Sequence, residues 1–189
     1  MTKLMLGVFL WSFMHFIPAV AVDFRKNLIA KLGENPYKGI FALLMALSLY
    51  LVISGWKAAV PESIYLPPQW GRHATSLLVL IGFILFIAPY HATNLKRFLR
   101  HPQLTGVACW GIGHLLANGE ARSIVLFGGL AVWAIIEMLL LNRRDGAWVK
   151  PDSVPGKKDI ILLVAGFVVY IVVAVSHLWL FGFSPFASG

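Results

Sequence analysis

Six apolar stretches leave this chain little choice of fold. They run over residues 3–22, 39–60, 74–90, 103–117, 122–141 and 159–183, with short connections between them. Most approach the roughly 20 residues that cross a bilayer as a helix. With 59% hydrophobic residues and a mean hydropathy of +0.78, the chain is too apolar for a soluble domain, whose apolar share is roughly 45–50%. Inside hydrocarbon a segment must satisfy its own backbone polar groups. The pattern therefore predicts an all-α, polytopic membrane helix bundle of about six transmembrane helices. The third and fourth runs are short, so five spans plus a short, partly inserted fourth segment is the alternative. No polar stretch is long enough for a second domain, and residues 1–189 read as one integral membrane domain.

The charges sort by side. The first, third and fifth connections hold Arg25, Lys26, Lys31, Lys38, Lys96, Arg97, Arg100, Arg143, Arg144, Lys150, Lys157 and Lys158, whereas only Lys3, Lys57, Arg72 and Arg122 lie on the other side. Cytoplasmic loops carry the excess of Lys and Arg, which places those three connections in the cytoplasm and both termini outside. The net charge of +8 is thus a matter of membrane orientation and implies no nucleic-acid partner. The expected location is the bacterial inner (cytoplasmic) membrane. Ala19-Val20-Ala21 mimics a signal-peptidase site. Yet Trp11, His15 and Pro18 inside the run, and Arg25-Lys26 directly after it, read as a retained helix end.

Function concentrates in residues 98–120, FLRHPQLTGVACWGIGHLLANGE. A basic patch of Lys96, Arg97 and Arg100 leads into His101-Pro102. Pro suits the first turn of a helix, where its missing N–H is no loss, so Pro102 marks a helix start. The short, Gly-rich run that follows carries His114 near its middle, and Asn118-Gly119-Glu120 closes it. An ionisable side chain at such depth is costly and points to a functional site.

His15 matches it. Entering from outside, His15 lies roughly 18 Å deep, and His114, entering from the cytoplasm, lies roughly 17 Å deep, at 1.5 Å per residue. Two imidazoles near the midplane of a core about 30 Å thick suit the two axial positions of a haem iron. Each has a tryptophan four residues earlier, Trp11 and Trp110, hence on the same helix face. Small residues flank both: Gly7 and Ser12, and Gly106, Gly111 and Gly113. The competing reading makes each ring a satisfied interior histidine and the glycines helix-packing residues.

The remaining ionisable residues admit plainer roles. His101 beside Arg97 and Arg100 reads either as a helix-start ring at the interface or as part of a site pairing with carboxylates such as haem propionates. His73, His91 and His177 lie near segment ends and read as interfacial, with His177 an alternative ligand or a support for one. Glu137 is a buried acid that needs a partner. Cys109, the only cysteine, excludes an intrachain disulfide and Cys-based metal clusters. It reads as a small buried hydrophobe, with thiolate ligation of haem iron as the alternative. The chain carries no phosphate-binding loop after a strand, no nucleophile elbow and no H-E-x-x-H.

Several of these pieces together resemble the NnrU family of bacterial membrane proteins, almost end to end. They are Trp11-x-x-x-His15, Asn35-Pro36-Tyr37-Lys38-Gly39, Gly71-Arg72-His73, Arg100-His101-Pro102-Gln103-x-x-Gly106, His114-Leu115-x-Ala117-Asn118-Gly119 and Asn142-Arg143-Arg144-Asp145-Gly146. The stretch from Arg100 to Gly119 is the specific one. The resemblance implies an association with nitrite and nitric oxide reduction. The same stretch is similar to zeta-carotene isomerase, a membrane enzyme that uses haem b to isomerise a cis double bond. That similarity carries its haem-ligating histidines onto His15 and His114. Where the isomerase has a cysteine three residues before its second ligand, this chain has Gly111, which argues against ligand exchange through that position. Arg100-His101-Pro102 also resembles a motif of isoprenylcysteine-type methyltransferases.

These observations imply an integral membrane haem b protein ligated by His15 and His114, with Trp11, Trp110, Arg97, Arg100 and His101 around the cofactor. Its role would be redox or nitric-oxide-linked, in denitrification. Membrane lipid and nitric oxide reductase or another redox partner are the expected partners. The other readings are a haem-dependent isomerase of an apolar polyene, an S-adenosylmethionine-dependent methyltransferase, and a non-catalytic assembly partner of nitric oxide reductase.

Overall fold

The computed structural model describes residues 1–185. The described residues form seven helices: α1 (Thr2–Val20), α2 (Val22–Leu32), α3 (Glu34–Ala58), α4 (Gly71–Ile87), α5 (Pro102–Ala117), α6 (Ala121–Asp145) and α7 (Lys157–Phe181). Single 3-10 turns at Ala88–Tyr90 and Asn94–Arg97 lie between α4 and α5. Among the described residues there is no strand, only an isolated bridge between Ser63 and Glu120.

Among the described residues, five helices are long and apolar enough to cross a membrane: α1, α3, α4 with its 3-10 extension to Tyr90, α6 and α7. The fourth apolar run folds as α5, 16 residues from Pro102, which at 1.5 Å per residue is about 24 Å, short of a core about 30 Å thick. Five helices of spanning length and one shorter apolar helix are found among the described residues, in keeping with about six membrane helices.

The helix ends follow local chemistry. α3 starts five residues before its apolar run, because Glu34 occupies the favourable N-terminal end of the dipole and pairs with Lys38 one turn on, at 2.7 Å. Pro36 fits that first turn. The first connection, which the apolar pattern leaves as a loop, is helical as α2. It is bounded by Ala21 and by Gly33, whose φ of 87° breaks the helix. α6 contains a π segment at Ile124–Gly128.

The chain divides into two compact units. The first, residues 1–66 and 118–148, holds α1, α2, α3 and α6. Here α1 packs along α3 and α6. Leu4 is fully buried, and its backbone lies against Gly55, where a Cβ would collide with it. Gly129 of α6 admits the Val8 side chain in the same way.

The second unit, residues 67–117 and 149–189, holds α4, α5 and α7. α4 packs along both of the others. Where α4 meets α5, Gly82 and Gly106 face one another: a Cβ on Gly106 would stand 2.6 Å from the Gly82 carbonyl oxygen and 2.9 Å from the Phe86 nitrogen. The Thr75 hydroxyl of α4 lies 2.6 Å from the Gly113 carbonyl of α5 and 2.8 Å from its own Gly71 carbonyl.

A polar clasp fixes the start of α7. Asp159 accepts from the Thr93 hydroxyl (2.6 Å), the Asn94 amide nitrogen (2.8 Å) and Asn94 Nδ2 (2.6 Å). The Asn94 side chain also pairs with both backbone groups of Val154, at 2.7 and 2.9 Å. Thr93 is only 3% exposed. Asp159→Ala would strand that hydroxyl, at a cost of about 1–3 kcal/mol. The expected result is a lower midpoint of thermal unfolding in detergent and faster proteolysis within residues 149–156.

Candidate functional site

His15 occupies the second half of α1, four residues after Trp11. Its Nδ1 lies 2.8 Å from the Trp11 carbonyl oxygen. A carbonyl only accepts, so Nδ1 carries the proton and donates, and in the neutral ring the lone pair sits on Nε2. The ring lies beside Trp11 on its own helix (centroids 4.5 Å apart), Trp133 of α6 (5.0 Å) and Phe41 of α3 (5.8 Å). Trp133 also meets Trp11 edge-on at 5.8 Å. His15 is thus held in an aromatic cluster built by all three long helices of the first unit.

Four buried polar atoms in this unit have no hydrogen-bond partner among the described residues: Trp11 Nε1, Ser123 Oγ, Trp133 Nε1 and Glu137 Oε2. Trp133 and Glu137 are each 6% exposed and stand one turn apart on one face of α6. Leaving such atoms unsatisfied costs about 1–3 kcal/mol each. The two orphaned indole donors beside the His15 ring mark a place where a polar group from elsewhere belongs.

His114 repeats the local arrangement in the second unit. Its Nδ1 lies 2.8 Å from the Trp110 carbonyl oxygen, which again leaves the proton on Nδ1 and the lone pair on Nε2. The Trp110 ring is 4.8 Å away. Gly113, immediately before it, receives the Thr75 hydroxyl, so α4 pins the turn that carries the ring.

Arg97, Arg100 and His101 belong to this same unit. Arg97 ends the 3-10 turn, and its buried Nε has no hydrogen-bond partner on the protein. The His101 carbonyl accepts from both the amide nitrogen and the hydroxyl of Thr105, each at 3.0 Å, so its backbone caps the helix that Pro102 begins. The structure thus brings Trp11 to His15 in one unit, and Trp110 to His114 in the other unit along with Arg97, Arg100 and His101.

The other histidines have ordinary settings. His73 is exposed in the first turn of α4, and His91 is half-buried after the 3-10 turn. His177 Nδ1 donates to the Phe183 carbonyl at 2.7 Å, bracing the end of α7. Cys109 is a half-buried free thiol. Among the described residues, no group of three or more His, Cys, Asp or Glu side chains could hold a metal ion. An iron porphyrin asks less, since its macrocycle fills four positions and the protein supplies the axial ones.

Phe41 and Trp133 were not legible as neighbours of His15. One signal was present: Trp133-x-x-x-Glu137 repeats the spacing of Trp11-x-x-x-His15 and Trp110-x-x-x-His114. Three times, a tryptophan precedes an ionisable side chain by one turn within an apolar run.

Fold and composition define an all-helical integral membrane protein with five helices able to span the bilayer. Residues 3–185 match the family described as NnrU protein, and the chain belongs to that family. No curated protein and no solved structure matches it.

Proposed function

We propose that this NnrU-family chain is a haem b protein of the bacterial cytoplasmic membrane, in which His15 and His114 would hold the iron, with a redox or nitric-oxide-linked role in denitrification. The observation that carries the reading is the matched pair of Nδ1–H bonds to Trp11 and Trp110 carbonyls. A metal-binding imidazole almost always donates its other ring N–H to a carbonyl or carboxylate, which fixes the tautomer and raises the basicity of the ligating nitrogen. Both rings are already in that state.

The donor chemistry fits the group. Two neutral imidazoles suit haem iron. The buried Arg97 Nε that lacks a protein partner, together with Arg100 and His101, suits the carboxylates of the propionates. The indole N–H groups of Trp11 and Trp133, also without protein partners, would donate to acceptors brought by the cofactor or its waters. Bound haem would supply a one-electron redox centre. The chain's own part is to fix both tautomers, to exclude water with Trp11, Phe41 and Trp133 around His15, and to hold the α5 turn through Thr75. Nitric oxide reductase or another membrane redox protein is the proposed partner.

The test is the visible spectrum of protein purified from haem-replete cells. A Soret band with the sharp α and β bands of a low-spin, six-coordinate haem is expected after reduction. A featureless Soret region would reject the proposal.

A further inference from the structure

The first unit contains a second feature that the haem reading does not use. A cavity of about 250 Å³ lies between the end of α1 and the start of α3, lined by Pro18, Arg25, Tyr37, Lys38 and Phe41. The Lys and Arg asymmetry assigns this end to the cytoplasmic face. Its open lining mixes two cations and a phenol with a proline and a phenylalanine. Arg25 is half-buried, with its guanidinium 5.5 Å from the centre of the Tyr37 ring, which holds it in place at the wall.

The charges around the cavity leave an excess of cation. Lys38 is paired with Glu34 at 2.7 Å, and Asp23 is 3.7 Å from Lys26. From α6, Arg144 reaches the Pro18 carbonyl at 3.1 Å, but its charge is met by Asp145 at 2.6 Å. Between residues 22 and 38, Arg25, Lys26, Lys31 and Lys38 stand against only Asp23 and Glu34.

The helix above the cavity is built for a membrane surface. No residue of α2 is buried, and Phe24 and Leu32 are 59% and 43% exposed beside Arg25, Lys26 and Lys31. A short helix of this composition, bounded by Ala21 and Gly33, suits the headgroup layer, where exposed apolar side chains can reach the acyl boundary while cations stay in water.

We infer that this cavity is a binding site for an anionic phospholipid, with the phosphate held by Arg25, Lys38 and the Tyr37 hydroxyl and the upper acyl chain resting on Pro18 and Phe41. A guanidinium and a phenol match phosphate oxygens as donors. The cytoplasmic leaflet supplies anionic headgroups, and basic residues at that surface attract them. Pro18 and Phe41 in the lining suit an acyl chain and not a free inorganic ion. Phe41 is shared: its ring also meets the His15 ring, so the lipid would be one aromatic ring away from His15.

The test is native mass spectrometry of the full chain in neutral detergent, titrated in separate arms with phosphatidylglycerol, phosphatidylcholine and inorganic phosphate. Phosphatidylglycerol should be retained about tenfold better than phosphatidylcholine, and millimolar inorganic phosphate should not displace it. Arg25→Gln with Lys38→Gln should bring retention down to the phosphatidylcholine level. Lys31→Gln removes a charge from the same helix without touching the cavity and should leave retention nearly unchanged. Should the double variant fail to fold, Arg25→Gln alone should still lower retention several-fold. Equal retention of the two lipids, displacement by phosphate, or an equal loss in Lys31→Gln would overturn the assignment. None of these readouts depends on haem.

Discussion

Replacing His15 by Ala is expected to reduce the haem co-purifying with the protein by at least about tenfold, and His114→Ala to do the same. Changes to groups that merely support a ligand cost about 10–100-fold in metal affinity, and loss of the ligand itself removes more. The measurement is pyridine haemochrome content per mole of protein, with the spectrum recorded alongside. Imidazole added to either variant should restore part of the low-spin spectrum by occupying the vacated position. Trp11→Phe separates ligation from packing. The bond to His15 uses the Trp11 backbone carbonyl, so this variant should keep its haem while losing one indole donor. A His15→Ala, His114→Ala double variant that retained a full complement of haem would defeat the proposal.

The second large effect belongs to the α4–α5 crossing. Gly106→Ala places a methyl 2.6 Å from the Gly82 carbonyl and 2.9 Å from the Phe86 nitrogen. Both are backbone atoms of a helix and cannot swing aside. Overpacking of this kind costs about 1–3 kcal/mol and sometimes more, and Gly106→Leu should exceed the Ala value. Small residues at such crossings matter because van der Waals contact drives helix association in lipid. Gly39→Ala is the control. It lies inside α3 with nothing within 4 Å of an added Cβ, and alanine favours a helix over glycine by about 1 kcal/mol, so this variant should be neutral or slightly more stable. Thermal unfolding followed by fluorescence-detected size exclusion would report both.

Much of this architecture can be read from the residues, for physical reasons. Apolar runs near bilayer length can only be helices in hydrocarbon, and Pro102 and the Asn118-Gly119-Glu120 turn bound α5 where expected. The tryptophans fall beside their histidines because residues four apart share a helix face. Helix α2 was hidden because it buries nothing and has too few apolar residues to form a run. The π segment left no trace either, since Ile124–Gly128 is as apolar as the helix around it. The aromatic cluster at His15 required tertiary information. Phe41 and Trp133 lie on α3 and α6, and no spacing within one helix can pair residues so far apart in the chain.

The wide turn in α6 has a consequence for those neighbours. A π turn accommodates one residue more than an α turn, so Ile124–Gly128 advances the angular phase of everything after it by about 100° relative to an unbroken helix. The phase that aims Trp133 at α1 is inherited from that surplus residue. Excising one residue there would return the helix to regular winding and swing Trp133 away from His15, while leaving the length and hydropathy of the span almost untouched.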